Sequence, residues 1–396
     1  MLKLTVFVVI AINGCQMSSL PQASYYLLYK KDKEIQQQSV FEINSSQTKQ
    51  SESPTPTNEE GNDDKNTSGN RSFWQEFEWT QTERRNANEA LSQKIFMGDI
   101  VENNAVGRGQ YLIDKYEKEA GSNWDKFYKS HQTNFFKDRH YLEKAFPDEF
   151  GVVYGKYGSA EALSVVDGGD GEQCEHFTIV EIGCGVGNTV LPLLELDPYI
   201  NVDKMDIAEP PNPEKRRRVS VWGLDFSKVA VDLLQKDERY MKAHAEKRAK
   251  SAVWDITKTH PGHISTELDN SSDISLLLFC LSAVSPERMS QAANHVAATL
   301  KPGGTLILRD YGRFDEAQMK LGSGRGKRLT ENFYVKHDST RVYFFDLDDL
   351  ESLFGSDGAG LETIDIRYIQ RVYTNRSENS ERRRVWVQAR FRKPLT

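Results

Sequence analysis

The chain has 396 residues, 38% of them hydrophobic, and its 51 Lys and Arg against 58 Asp and Glu give a net charge of −7. That length suits one large domain or two ordinary ones, and the composition fits a soluble protein carrying some non-core segments. Cys15, Cys174, Cys184 and Cys280 form no C-x-x-C pair, and His131 and His140 lack partners at ligand spacing; a disulfide framework and a metal site are both unexpected, and a reducing compartment is favoured.

The first residues, MLKLTVFVVIAINGC, resemble a short secretory signal. Nothing downstream reads as secreted, and the apolar run of about nine residues falls short of the roughly 20 that span a bilayer. Residues 17–70 are rich in Ser, Gln, Asn, Thr, Glu and Pro, and 1–70 as a whole are expected to be a disordered, non-essential extension of a cytoplasmic protein. Residues 71–150 carry a helical pattern from Glu83 to Lys129, with Leu91, Ile95, Tyr111, Leu112, Tyr116, Phe127 and Tyr128 as apolar-face positions. A Gly-rich linker is expected over 151–175.

Residues 176–396 then alternate strand and helix, the pattern of a doubly wound α/β fold around a parallel sheet. FTIVEIG reads as the first strand and GNTVLPLLELD as the helix after it. VSVWGLDF is a second strand, followed by one long helix, SKVAVDLLQKDERYMKAHAEKRA. SAVWDI and DISLLLFCLSAV are strands three and four, and Ser285 with Pro286 caps the next helix. LKPGG reads as a tight turn into strand five, TLILRDYG, and the C-terminus as a short helix plus an antiparallel hairpin. An insertion, residues 201–218, is expected at the sheet edge. From Asp365 to Thr396 nine Lys/Arg stand against three Asp/Glu, a net of +6 inside an acidic chain; such a cluster suits phosphate partners or simply a solvated sheet edge.

EIGCGVGN, 181–188, decides the cofactor. It lacks the G-K-[ST] of a nucleotide-triphosphate loop, and Asn188 stands where a dinucleotide fingerprint needs its third glycine. What remains, Gly183, Gly185 and Gly187 behind Glu181, resembles the first motif of class I S-adenosylmethionine-dependent methyltransferases. Asp225, ending strand two, suits the ribose hydroxyls, and Asp255, ending strand three, the adenine amino group. Upstream, NFFKDRH sets Phe135 and Phe136 beside Lys137, Arg139 and His140. This arrangement suits stacking on a splayed base with phosphates held alongside.

The stretches NWDKFYK, NFFKDRH, EIGCGVGNTVLPLLE, LDFS, LFCLSAVSPERM, LKPGGTLILRDYGRFD, ENFYVKHDSTRVYFF and RVWVQARFRKP together resemble the tRNA 3-methylcytidine methyltransferases, the methyltransferase-like 2, 6 and 8 group, over about residues 120–395. The resemblance implies a class I methyltransferase (Rossmann-like) sheet with an N-terminal helical RNA-binding extension. It also implies S-adenosyl-L-methionine as cofactor and methylation of cytidine N3 at position 32 of the anticodon loop of threonine, serine or arginine tRNAs. An aminoacyl-tRNA synthetase or another accessory protein serves some family members; no membrane partner is implied. Trp124 and Tyr128 would close over the cofactor, Gly183, Phe226 and Ile256 line it, and Leu278 pack at the adenine.

Cytosine N3 has a lone pair and no proton to lose, so attack on a sulfonium methyl needs positioning more than a base. The product ring is cationic, and a nearby carboxylate favours its formation. Asp310 in RDYG is the first candidate for that carboxylate and Asp138 the second; Asp310 is alternatively a fold partner of Arg309 or Arg313. The stretch 320–329, KLGSGRGKRL, reads as a mobile basic loop. Together with Arg309, Tyr311, Arg313, Lys336, Arg341 and the basic tail it completes the expected tRNA-binding set. Two other readings remain: a methyltransferase acting on protein or small molecules, and a non-catalytic RNA-binding subunit. The intact Glu181, glycines, Asp225 and Asp255 argue against the second.

Overall fold

The strand formed by residues 176–182 carries apolar side chains on both sides, Phe177 and Ile179 on one and Val180 and Ile182 on the other, because helices cover both faces of the sheet it belongs to. The computed structural model describes residues 73–92, 108–151, 153, 176–196, 199–201, 216–323, 327–375 and 380–395. The extension at 1–70 and nearly all of the linker at 151–175 lie outside the described residues.

Among the described residues nine strands make the main sheet. Its parallel centre runs β5 (Ala249–Val253), β4 (Arg216–Asp225), β2 (His176–Ile182), β6 (Ser272–Leu278) and β7 (Leu300–Tyr311). The chain winds outward from β2 to β4 and β5, then returns to β6 and β7, so the direction of winding switches between β2 and β6. Beyond β7 lie the antiparallel β12 (Ser380–Arg392) and β11 (Glu362–Asn375), the expected C-terminal hairpin.

Alternate side chains of each strand enter opposite cores. Val180, Ile182 and Leu277 pack with α9 (Pro286–Thr299) and α11 (Leu347–Phe354). Ile179, Leu276 and Leu278 pack on the other face with α4 (Leu142–Ala145), α5 (Pro147–Phe150), α6 (Val190–Leu194) and α8 (Glu238–Ala245).

Several local expectations change. The long helix after β4 is two, α7 (Lys228–Leu234) and α8, because Asp237 caps the second by accepting the Arg239 N–H at 2.9 Å. Ser227 caps α7 in the same manner, accepting from Ala230 N at 3.2 Å. Ser285 holds the N-cap position of α9, but its side chain makes no capping bond. LKPGG is not a separate turn; it is the start of β7, with Gly303 at φ +78°. The insertion begins at the last residue of β3 (Tyr199–Asn201), which is antiparallel to the first residues of β4, so the three arginines 216–218 are strand; 202–215 lie outside the described residues.

Two features have no counterpart in the sequence reading. β1 (Phe73–Glu76) adds to the outer edge of β11. A separate antiparallel sheet joins β8 (Arg328–Thr330), β9 (Phe333–Val335) and β10 (Arg341–Tyr343). The supposed basic loop 320–329 is divided between α10 (Glu316–Ser323) and β8, with 324–326 outside the described residues. On the small sheet sits α2 (Arg108–Lys118), whose Leu112, Ile113 and Tyr116 pack against Leu329, Phe333 and Val335. α3 (Ala120–His131) follows and sets Phe127 and Tyr128 against Val186 and Ala230. α1 (Gln81–Ser92) lies beside α10, with Leu91 accepting from Arg328 at 2.7 Å.

Candidate functional site

A cleft of about 510 Å³ opens at the carboxyl ends of β2, β4, β5 and β6, beside the switch in winding, with α2 and α3 as its roof. Open α/β sheets bind ligands at this place, and pockets of about 300–1,000 Å³ suit small molecules. Its lining includes Trp124, Tyr128, Gly183, Asp225, Phe226, Asp255 and Ile256, all expected from the sequence.

The turn after β2 is stitched to the end of β4: Gly183 N and Cys184 N both donate to Leu224 O, at 2.7 and 2.9 Å. Two glycines are demanded by their surroundings. Gly183 has φ +75°, and a Cβ there would lie 2.5 Å from Cys280 Sγ. Gly185 has φ +55°, and its Cβ would lie 2.7 Å from the Tyr128 hydroxyl. A side chain at 183 or 185 would therefore drive the turn away from β6 or from the roof.

Asp225 is 8% exposed and accepts Gly185 N on one oxygen and Ser227 N on the other, both at 2.8 Å. Burial pushes its carboxyl up from 3.8 to about 6, against the pull of those two N–H groups. Asp125 on α3 accepts the Ser227 hydroxyl at 2.6 Å, which ties the roof to the same loop. Asp255 faces the cleft with both oxygens engaged, one by Thr257 and one by Lys258 at 2.9 Å. Burial raises its carboxyl, but these bonds outweigh it and hold it below the usual value.

Four expected cofactor residues do not line the cleft. Leu278 points into the core. Gly187 abuts Leu234, and Gly185 faces Tyr128. Glu181 is fully buried beneath the turn, where it accepts Val190 N at 3.2 Å and pairs with Arg139 at 3.1 Å.

The NFFKDRH segment is bolted to the glycine turn. Arg139 N donates to Asn188 O at 2.7 Å, while the Asn188 amide donates to Phe136 O at 3.1 Å and Asp138 Oδ1 at 3.2 Å. Asn188 thus has a structural task where a dinucleotide loop would have glycine. Two roles change as a result. Arg139 turns inward onto Glu181 and Thr189 rather than outward to a phosphate. Asp138 pairs with Arg239 at 2.9 Å and anchors the segment. Phe135 and Phe136 stay 54% and 38% exposed, and their rings cluster with Phe127. Lys137 and His140 are exposed beside them.

The RDYG residues also differ from expectation. Asp310 is fully buried; its oxygens accept Ser282 N and Tyr311 N, both at 2.9 Å, so it pairs with neither Arg309 nor Arg313 and leaves no oxygen facing solvent. Burial raises it to about 6. Arg309 is buried on Gln388 and over the Tyr141 ring and does not line the cleft. Arg313 clamps Asp346 and Asn88 at 2.8 Å each. Arg341 pairs with Glu117 in the cleft wall, and Lys336 lies 5.4 Å from the Trp124 ring centre, where burial lowers its amine. The Tyr311 ring lies tilted against those of Phe279 and Phe344.

The basic tail is less free than its charge suggests. Arg383 pairs with Glu83, Arg384 with Asp315, and Arg390 with Asp148 and Glu149, while Lys393 reaches Asn270 and two carbonyls. Sequence reasoning missed Glu117, which also holds Arg288 at 3.1 Å, as well as Phe279 and Cys280 in the wall. Glu117 carries no motif, whereas Phe279 and Cys280 continue the apolar run of β6 and could have been found there. Among the described residues no helix is long and apolar enough to cross a membrane.

The strand order, the glycine turn at the winding switch, the carboxylate ending β4 and the one just past β5 define a class I methyltransferase. Residues 180–306 match the family model described as "Methyltransferase domain". The chain is 34% identical to the zebrafish (Danio rerio) tRNA N(3)-cytidine methyltransferase METTL2, over 81% of this chain and 84% of that protein. It is 35% identical to the Drosophila melanogaster tRNA N(3)-methylcytidine methyltransferase Mettl2, over 71% and 74%. A Dictyostelium discoideum relative named O-methyltransferase 3 is 30% identical over 81% and 79%. The chain belongs to the tRNA N(3)-cytidine methyltransferase family, and it is an enzyme that takes its methyl group from S-adenosylmethionine.

Proposed function

We propose that this enzyme methylates N3 of cytidine 32 in the anticodon loop of tRNA, with the segment 134–140 receiving the loop. The observation that carries the reading is the pair of exposed rings, Phe135 and Phe136, fixed beside the cofactor turn by Asn188. Exposed aromatics suit bases that have left their stack, and loop bases leave it at low cost.

The cleft fits the cofactor by size and by chemistry: acceptor carboxylates for the ribose hydroxyls and adenine amine, with aromatic cover. Bound there, S-adenosylmethionine supplies a sulfonium methyl. Asp225 would hold the ribose, Asp255 the adenine, and Trp124 with Tyr128 would exclude water from above. Asp310 cannot bond an exocyclic amine from its buried position. Its role is instead that of a fixed charge below the acceptor, favouring the ring as it becomes cationic. Lys137 and His140 meet the phosphates.

A hydroxyl acceptor, suggested by the Dictyostelium relative's name, would need a base to take its proton. Asp225 and Asp255 line the cleft where they would hold the cofactor, and Asp310 is fully buried outside its lining, so none of the three is placed to take a proton from an acceptor. The tRNA is the partner this reading requires. A synthetase or other accessory protein rests on family resemblance, and a cytoplasmic setting on the free thiols of Cys184 and Cys280. An unmodified tRNA transcript with cytidine at 32 is expected to accept a methyl group, and one with uridine at 32 to accept none. Equal labelling of the two would overturn the assignment of position.

A further inference from the structure

Phe279 directly follows β6 in a backbone conformation that aromatic residues seldom adopt, with φ +57°. There the Cβ crowds the following carbonyl, and a non-glycine residue stays only if its surroundings compel it. Those surroundings are visible. Phe279 N donates to Arg309 O at 2.8 Å, adding one rung to the β6–β7 ladder. Cys280, its neighbour, lies against Gly183 and opens a 3₁₀ turn over 281–283. Of the described non-glycine residues with positive φ, Phe279 is the one that lines the cleft. Its ring centre is 5.3 Å from that of Tyr311, at 56°; the Arg139 guanidinium carbon lies over the ring at 5.7 Å, held there by Glu181, so the part of the ring that lines the cleft is the part open to a ligand. The strained residue therefore holds an aromatic face at the seam between the cofactor turn and Tyr311.

We infer that Phe279 is the platform on which the acceptor base lies during methyl transfer, with Tyr311 at its edge. The inference rests on the cytidine-N3 reading. In that transfer the N3 lone pair forms the bond to the methyl carbon, the carbon–sulfur bond breaks, and its electron pair remains on sulfur. Positive charge passes from sulfur to the pyrimidine ring, and no proton leaves. A cation over an aromatic face is attracted to it, so the contact with Phe279 is stronger after the charge has moved than before. Such a contact raises kcat more than it lowers KM.

The test uses Phe279→Asn, whose side chain tolerates this backbone and removes the ring. Wild-type melting temperature and cofactor affinity are expected, with kcat on unmodified tRNA lowered roughly 10- to 100-fold and KM for tRNA little changed. Phe279→Leu and Phe279→Tyr carry the same backbone strain, so the ratio of their kcat values isolates the aromatic face even if the Asn variant folds poorly. Tyr is expected to exceed Leu by about tenfold or more. Equal rates for Leu and Tyr would overturn the inference, as would a loss in Phe279→Asn confined to cofactor affinity. A wild-type enzyme that forms no 3-methylcytidine overturns the reading beneath it; an active wild type matched by Phe279→Asn overturns the platform alone.

Discussion

Asp225→Ala is expected to weaken S-adenosylmethionine binding by about a hundredfold or more in calorimetry. A hydrogen bond to a charged group is worth about 1.5–3 kcal/mol, so two ribose hydroxyls on one carboxylate put about 3 kcal/mol or more at stake. The loss has a second origin, because the same carboxylate fixes Gly185 N and Ser227 N, and alanine leaves both loops without their common acceptor. Affinity should also depend on pH. Burial raises the carboxyl from 3.8 to about 6. Its protonation therefore stabilises the fold fully below about pH 4, and that contribution is lost as pH rises through 6. Cofactor affinity runs the other way, since the ionised form accepts the hydroxyls: level above pH 7, then falling toward tenfold per unit below about 6. Asp225→Asn should flatten this profile, which separates Asp225 from Asp310, also raised to about 6. Wild-type affinity in Asp225→Ala would remove the ribose assignment.

Arg139→Ala is expected to cost about 3–5 kcal/mol of stability, the usual result of stripping a buried charge of its partner. Glu181 is fully buried, and Arg139 is its one ion-pair partner among the described residues. Burial raises the Glu181 carboxyl to about 7 even with Arg139 opposing it. The folded-state value lies above the unfolded one, so the associated stability is complete below about pH 4.5 and disappears as pH rises through 7. Without Arg139 the defect should thus be milder at pH 5 than at pH 8, and Glu181→Gln should rescue part of it. Lys137→Ala, two residues away and exposed, should leave melting unchanged and lower the salt slope of tRNA binding by about one. Thermal unfolding of both variants checks this, and an Arg139→Ala protein as stable as wild type would mean that Glu181 has another partner.

The central parallel strands β2, β6 and β7 could be read from the sequence because FTIV, SLLL and TLIL are apolar runs, and helices covering both faces require such runs. The glycine turn could be read because three positive-φ residues must be glycine in that spacing. The small sheet could not, since strands of three residues are too short to show alternation. Nor could the partners of charged residues. Arg139 beside two phenylalanines reads as a phosphate ligand, while its actual partner lies 42 residues away. Asp310 is legible as the end of a strand, but its burial depends on Ser282 folding back over it. Asn188 is informative by exclusion alone, because the groups it holds, Phe136 O and Asp138 Oδ1, lie 52 and 50 residues upstream.

The most direct test gives the enzyme unmodified tRNA and S-adenosylmethionine carrying a deuterated methyl group, then digests the RNA to nucleosides for mass spectrometry. The expected result is labelled 3-methylcytidine from wild type and almost none from Asp225→Ala. Label appearing instead in a 2′-O-methyl or 5-methyl nucleoside, or in protein, would contradict the account.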